Sequence, residues 1–373
     1  MVGAVKLAVA GAGKTTWLGK IIDPNKRNLL LTFTNSNVKH LIQSVKESHN
    51  KIIPNNTKVM TYTKFVYYWI IKPNEKLYLC KSGSKLKGEG MTIVEPIEFD
   101  KSNLGNGYVK AEYPRHFIDK NNYYYVNRLS ELFCKQKAVV KKAVREYIGK
   151  FIDEIYIDEF QDFSRFDLKL LLDLIKGKNY NVTMVGDYYQ SLVTYTGRVK
   201  KNESIYKKKD YSEFIQFLKE KDIKVDTETL KDSHRCSPDT CRFIRENLGI
   251  PIFSQSKGNN GQVKVIYDKD MALNILNNDN IVKLLYNSGS KGYDKLGNKN
   301  KWGYSKGSTL KKTCVILTND FSKRLLNNKN SLKIKNLHKE SIHKLYVALT
   351  RSSSDTYLMS SYLYREAISS LID

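Results

Sequence analysis

The sequence predicts an α/β fold built on a mainly parallel sheet with helices over both faces. Three observations predict it. Short apolar runs with strand character alternate with segments of helical spacing. The first run, "VKLAVA", passes through a glycine-rich turn directly into a helix. After an interruption over residues 75–150 the alternation resumes, and a second alternating set begins near Lys224.

The elements follow in order. "VKLAVA" (5–10) is a strand, with a helix from Thr15. "NLLLTFT" (28–34) is the second strand, followed by the helix "NVKHLIQSVKES", and "TKVMTYTKFV" (57–66) is the third strand. "FIDEIYID" (151–158) is the fourth, then the helix "RFDLKLLLDLIK" (165–176) and the strand "NVTMVGD" (181–187). In the second set "KVDTETL", "QVKVIYD", "KTCVILT" (312–318) and "DTYLMSS" read as strands, "PDTCRFIREN" and "LHKESIHKLYVALT" as helices. The Gly- and Lys-rich stretch 287–308 lacks periodicity, and "RVKKNESIYKKKD" (198–210) reads as a polar surface connection. Residues 75–150, with "KSGSKLKGEG", "NNYYYVNR" and a basic helical run, have the character of an insertion into the first sheet domain.

Composition narrows the function classes. With 373 residues the chain can hold two ordinary domains. No apolar run approaches the roughly 20 residues of a membrane span, and no signal-peptide pattern is present, so a cytoplasmic protein with no membrane partner is expected. Five scattered cysteines without a CxxC pair argue against a disulfide framework or a zinc site. Lys and Arg number 63 against 38 Asp and Glu, a net charge of +25, which favours a polyanionic partner such as nucleic acid. The same abundance of Lys, Asn, Ile and Tyr also follows from A/T-rich coding, so charge alone leaves that partner open.

Two stretches carry chemistry. "AVAGAGKTTW" (8–17) lies between a strand and a helix, the context of a phosphate-binding loop. Gly11, Ala12 and Gly13 let the backbone N–H groups face phosphate oxygens, Lys14 would reach the β- and γ-phosphates, and Thr15, followed by Thr16, would offer a hydroxyl to Mg²⁺. Ala8 stands at the first position of G-x4-GK[ST], so the motif departs from its strict spelling. "EIYIDEFQD" (154–162) ends an apolar strand in Asp158 and Glu159. Asp158 can hold the hydration shell of Mg²⁺ and Glu159 can orient and deprotonate a water, the division of labour that phosphoryl transfer needs.

"AVAGAGKTT", "TFTN" (32–35), "DEFQD" (158–162), "VGDYYQSL" (185–192), "SHRCS" (233–237), "YSKGST" (304–309) and "LYVALTRS" (345–352) occur in one order. That order resembles the UvrD/Rep-like superfamily 1 DNA helicases, from about residue 8 to residue 360. The resemblance implies two RecA-like parallel-sheet motor domains of the P-loop NTPase class with a small inserted 1B subdomain. Residues 1–74 and 151–223 would form domain 1A, 75–150 the 1B-like insertion, and 224–373 domain 2A.

The resemblance also assigns roles. Gln190 would sense the γ-phosphate while Asp187 orders its loop. Arg235 and Arg351 would reach the γ-phosphate from the second domain, with ATP between the two domains. His234 stands where a Tyr normally stacks on adenine. In that family the adenine-reading segment lies upstream of the loop, where this sequence has seven residues before Ala8, so relaxed base selectivity is expected. Phe33, Thr34, Asn35, Phe65 and Tyr195 match nucleic-acid contacts, although Thr63 replaces a usual His and Thr196 a usual Arg. Lys306 and Gly307 match the pair set between DNA and nucleotide, with Gly303 in place of a His and Thr309 in place of a Glu. Trp302 either stacks a base or pins its loop, and the lysines around it line a strand groove or a solvated loop.

Residues 237–301 are too few for a full 2B domain, a feature of shorter UvrD-like proteins. The expected function is therefore an ATP- and Mg²⁺-dependent 3′–5′ translocase or helicase on single-stranded DNA or a single-strand/duplex junction. The alternative is an ATP-gated regulatory or motor subunit acting with a nuclease or another partner, such as in a bacterial anti-phage defence complex.

Overall fold

Strands whose side chains are apolar on both faces belong in the middle of a covered parallel sheet, and "NLLLT" and "EIYI" are buried at every position. The computed structural model describes residues 3–99, 107–192, 205–255, 258–326 and 337–372. It divides into two compact units, one of Met1–Lys6, Thr15–Gly186 and Val193–Asp226, the other of Leu7–Lys14, Asp187–Leu192 and Thr227–Asp373.

The first unit is organised by a six-stranded sheet. From edge to edge its strands are Thr57–Thr61, Asn28–Thr32, Glu154–Ile157, Asn181–Gly186, Ala4–Leu7 and Lys224–Asp226. Lys224–Asp226, which the sequence groups with the second set, pairs in parallel with Ala4–Lys6, and Lys6 forms an ion pair with Asp226. The short strand thus covers the outer edge of the first one. Ala4–Leu7, Asn181–Gly186 and Glu154–Ile157 are consecutive in this sheet, and the glycine-rich loop, Asp187 and Asp158 follow them directly in the chain.

The third strand is shorter than expected. Thr61 is extended and its hydroxyl accepts the N–H of Lys64, which caps a helix at Tyr62–Phe65 that continues into the π-helical turn Val66–Ile71. Phe65, Val66, Ile70 and Ile71 are buried along it. Phe65, expected to contact nucleic acid, is wholly buried; its ring faces the core of its own unit and is not available to a base.

Among the described residues of the 75–150 segment regular structure is sparse. A pair of short parallel strands, Gly90–Thr92 and Tyr123–Tyr125, precedes helices Leu129–Cys134 and Ala138–Gly149. Glu75 ties its turns together by accepting the N–H of Gly88 and the hydroxyl of Tyr124, each at 2.9 Å.

The second unit carries a five-stranded parallel sheet in the order Val263–Ile266, Thr356–Met359, Thr313–Ile316, Val282–Leu285 and Lys299–Lys301. Helices Lys269–Asn277 and Ser361–Ile372 close a core that includes Ala272, Leu285, Cys314, Met359 and Ala367. The α/β class and the two parallel sheets are those the sequence leads one to expect of two RecA-like domains.

Val282–Leu285 carries no clear strand signal because a lysine sits in it. Lys283 is fully buried, its Nζ donates to the carbonyl of Asn278 at 2.7 Å, and burial pushes its pKa down. Trp302 corrects a second expectation. It is 0% exposed, its Nε1–H donates to the carbonyl of Leu284 at 3.0 Å, and its ring meets those of Tyr286 and Phe321. No face is open to a base, so of the two sequence readings the loop-pinning one stands.

A core indole of this kind is worth about 3–5 kcal/mol relative to alanine. Trp302→Ala should therefore lower the unfolding free energy by about that amount in urea titrations. Stability equal to wild type would contradict this placement.

Candidate functional site

In the first unit the strand Glu154–Ile157 delivers two adjacent carboxylates. Asp158 is almost fully buried, and the Thr15 hydroxyl donates to its Oδ2 at 3.0 Å. Its N–H donates to the carbonyl of Leu31 at 2.8 Å, which fixes it beside the neighbouring strand. Glu159 is half-buried in the left-handed region, at φ +54° and ψ +42°, a conformation that costs a non-glycine residue energy and needs support. Support comes from its N–H, which donates to Asp158 Oδ1 at 2.9 Å, and from the Gln161 amide, which donates to its carboxylate. Ser44 on helix Asn35–Ser48 donates to the carbonyl of Thr15 at 2.9 Å and so steadies the start of helix Lys14–Lys20. Thr16, next along, is exposed.

Phe33, Thr34 and Asn35 lie where that longer helix begins. Phe33 is half-buried, edge-on to Phe163 at 5.6 Å between ring centroids. Thr34 is the N-cap, its hydroxyl accepting the N–H of Asn37 at 3.1 Å, and Asn35 is exposed.

The second unit contains the glycine-rich loop itself. Gly11 and Gly13 have φ of +74° and +75°, which a side chain would strain. A Cβ on Gly11 would also lie 2.6 Å from Ser233 Oγ and 2.8 Å from Arg235 Cβ, so the loop and the "SHRCS" segment are in close contact. The N–H of His234 donates to the carbonyl of Gly11 at 2.9 Å; its imidazole is exposed.

Behind the loop lies Asp187, fully buried. Its Oδ2 accepts from Gln190 Nε2 at 2.9 Å and from the Tyr346 hydroxyl at 3.1 Å, and its Oδ1 accepts the N–H of Tyr189 at 3.0 Å. The same Tyr346 oxygen accepts the N–H of Ala10 at 2.9 Å. Burial pushes the Asp187 carboxyl above its ordinary value, against the pull of the Lys14 charge and these donors. One phenol therefore joins the loop backbone to the carboxylate that holds Gln190.

Tyr346 lies on helix Lys339–Leu349, in the run "LYVALT". The sequence reading takes that run as a helix and a motif without singling out the phenol; the signal is a tyrosine in an apolar run, which needs a partner for its hydroxyl. His343, three residues earlier, was missed as well. It is buried between Tyr188 and Tyr189, and its Nδ1 shares a hydrogen bond with Ser191 Oγ at 3.2 Å.

The two arginines converge on one loop. Arg351, 1% exposed, donates from Nε to the carbonyl of Val347 at 2.9 Å and from Nη1 to those of Ser305 and Ser308 at 3.4 and 3.3 Å. Arg235 Nη1 also reaches the carbonyl of Ser308, at 3.4 Å, and Thr309 Oγ1 at 3.3 Å. Its Nε–H is buried and makes no hydrogen bond among the described residues, a donor suited to an anion. A cavity of about 600 Å³ opens beside it, lined by His234, Arg235, Asn259, Ser353 and Asp355 among others. Lys306 is half-buried in the same loop. Tyr195 lies outside the described residues.

These residues suit a nucleotide's phosphates: a loop in a glycine conformation, a lysine, and an orphaned guanidinium donor. Among the described residues no group of three His, Cys, Asp or Glu side chains could hold a metal ion. The Thr15–Asp158 pair fits Mg²⁺, which takes one or two protein oxygens and completes its shell with water and phosphate.

Residues 79–197 match the family model described as the UvrD/REP helicase N-terminal domain. Over that stretch, about a third of its length, the chain is similar to this family. No curated protein matches it. Among solved structures, Arterivirus nonstructural protein 10, a helicase, is similar with 13% sequence identity and a TM-score of 0.47; the alignment covers 99% of this chain and 61% of that one. Its complex with DNA is similar at 13% identity and a TM-score of 0.46, over 95% and 60% of the two chains. The chain thus spans about three fifths of the viral helicase's length. Among its described residues no helix is long and apolar enough to cross a membrane.

Two outcomes follow for this site. Tyr346→Phe leaves the ring in place but removes one donor to a buried carboxylate and the acceptor of Ala10. It should cost about 1–3 kcal/mol in denaturant unfolding, with no cavity to blame. Burial also pushes the His343 pKa down to about 4, from 6.5 when exposed. The unfolded chain therefore binds this proton first as pH falls. Stability should be undiminished above pH 6.5 and fall by up to about 3 kcal/mol toward pH 4, with a shallower fall in His343→Gln. Thermal unfolding across that range measures the difference.

Proposed function

We propose that the chain is an ATP-dependent translocase or helicase acting on single-stranded DNA, with 3′–5′ polarity taken from its family resemblance. The observation that supports this most is the Asp187 network. It ties the glycine-rich loop, through Tyr346, to Gln190 and to the helix that ends at Leu349, two residues before Arg351. A loop that only turned the chain would need no such connection to a buried carboxylate.

In this reading Gly11, Ala12, Gly13, Lys14 and Thr16 hold the phosphates, and His234 lies against the base. Thr15 and Asp158 hold the hydrated cation. ATP supplies the phosphoryl group, and Mg²⁺ neutralises the charge that develops on it. Glu159, fixed in its left-handed conformation, takes the proton of the attacking water. Gln190 registers the γ-phosphate, and Asp187 holds Gln190 in position. Arg235 and Arg351 stabilise the transition state as arginine fingers do. Phe33, Thr34, Asn35 and Lys306 contribute to the grip on the strand, as does Tyr195 by resemblance. Residues 75–150 serve as a reduced 1B subdomain.

Hydrolysis should be stimulated by single-stranded DNA and abolished by Lys14→Ala or Glu159→Gln. Arg351→Ala should lower kcat by about 10³-fold or more while leaving nucleotide binding measurable. Steady-state hydrolysis with and without oligonucleotide gives the answer. Hydrolysis indifferent to every nucleic acid would replace the motor with an ATP-gated subunit that works through a partner protein. A chain that binds no nucleotide would overturn both readings.

A further inference from the structure

The segment "KWGYSKGST" is built like a pedestal. Trp302 is buried, and its backbone N–H donates to the carbonyl of Leu285 at 2.7 Å. Ser305 is buried too, its hydroxyl donating to the carbonyl of Trp302 at 2.7 Å, while its own carbonyl accepts from Ser308 Oγ at 2.6 Å and from Arg351. Between these anchors the 3-10 turn Gly303–Ser305 holds Tyr304 outward, 75% exposed.

Nothing in the core requires a large aromatic there. A ring fixed on a rigid turn has little freedom to lose when it meets a partner, and its π-face accepts any base. Lys301 places its ammonium 3.9 Å from the ring centroid, and the half-buried Lys306 follows two residues later in the chain. Tyr267 and Tyr362 are equally exposed, but no such cation lies over either ring among the described residues. Gly303 offers no side chain, so the exposed aromatic of this loop is the next residue along.

We propose that Tyr304 is a stacking platform for a nucleobase of single-stranded nucleic acid, with Lys301 and Lys306 taking the phosphates on either side. This rests on the motor reading above and names a contact within it. The base lies on the ring face not covered by Lys301. Because stacking reads the π-face, the contact is indifferent to base identity. The turn's last carbonyl is held by Arg351, so the platform and a residue assigned to the γ-phosphate share one loop.

The test is anisotropy of a fluorescent oligothymidylate, and of the same oligomer carrying abasic positions, on the full chain at fixed salt. Tyr304→Ala should weaken binding of the intact oligomer by about tenfold and Tyr304→Phe by less than about twofold, since the ring does the work. The abasic oligomer should erase the difference between wild type and Tyr304→Ala. Lys301→Ala should instead flatten the salt dependence. The substituted residue is on the surface, so unchanged thermal unfolding of Tyr304→Ala confirms that the effect is local. Wild-type affinity in Tyr304→Ala, or an equal loss on intact and abasic oligomers, overturns the platform and leaves the motor reading intact. A wild-type chain that binds nucleotide but neither oligomer overturns both.

Discussion

A carboxylate taken fully out of water must be met by donors or give up its charge, and the buried carboxyl of Asp187 imposes that condition on everything near it. Gln190, Tyr189 and Tyr346 supply the donors. Each is fixed by the need to satisfy the carboxylate, so each inherits a defined position. Gln190 is held with its amide committed, Tyr346 orients helix Lys339–Leu349, and Ala10 hangs its N–H on the same phenol oxygen. A tyrosine suits this post better than a serine because its ring fills the space between backbone and carboxylate while its single oxygen both donates and accepts.

The helix that begins this arrangement also ends it. Arg351 returns its Nε–H to the carbonyl of Val347, within the last turn, so the guanidinium is aimed by the helix rather than by a flexible stem. His343 and Tyr346 on this helix and Arg351, two residues past its end, thus form one series, facing "GDYYQS" at one end and the Ser305–Thr309 loop at the other. This is why the apolar residues between them matter: they set the depth at which three polar groups sit.

Much of this was legible in the sequence, for identifiable reasons. Apolar runs such as "NLLLT" and "EIYI" betray buried parallel strands, and "AGAGKTT" announces a loop by glycines whose positive φ the structure shows. Other parts were hidden by tertiary context. Val282–Leu285 was masked by Lys283, whose ammonium is received by the Asn278 carbonyl and favoured by the nearby Asp279 charge. Trp302 and Phe65 looked like recognition aromatics because a sequence cannot say which way a ring points. Lys224–Asp226 was too short to show which sheet it would join. Tyr346 was concealed by an apolar run in which only its hydroxyl is polar.

The carbonyl of Ser308 receives Nη1 of both Arg235 and Arg351. A carbonyl oxygen has two lone pairs, and here both are engaged. The two guanidinium groups are therefore linked through an atom belonging to neither. If one leaves, the acceptor is freed and the hold of the other can tighten. Replacing both arginines would then not sum the effects of replacing each, and a backbone atom with no chemistry of its own would set the coupling between them.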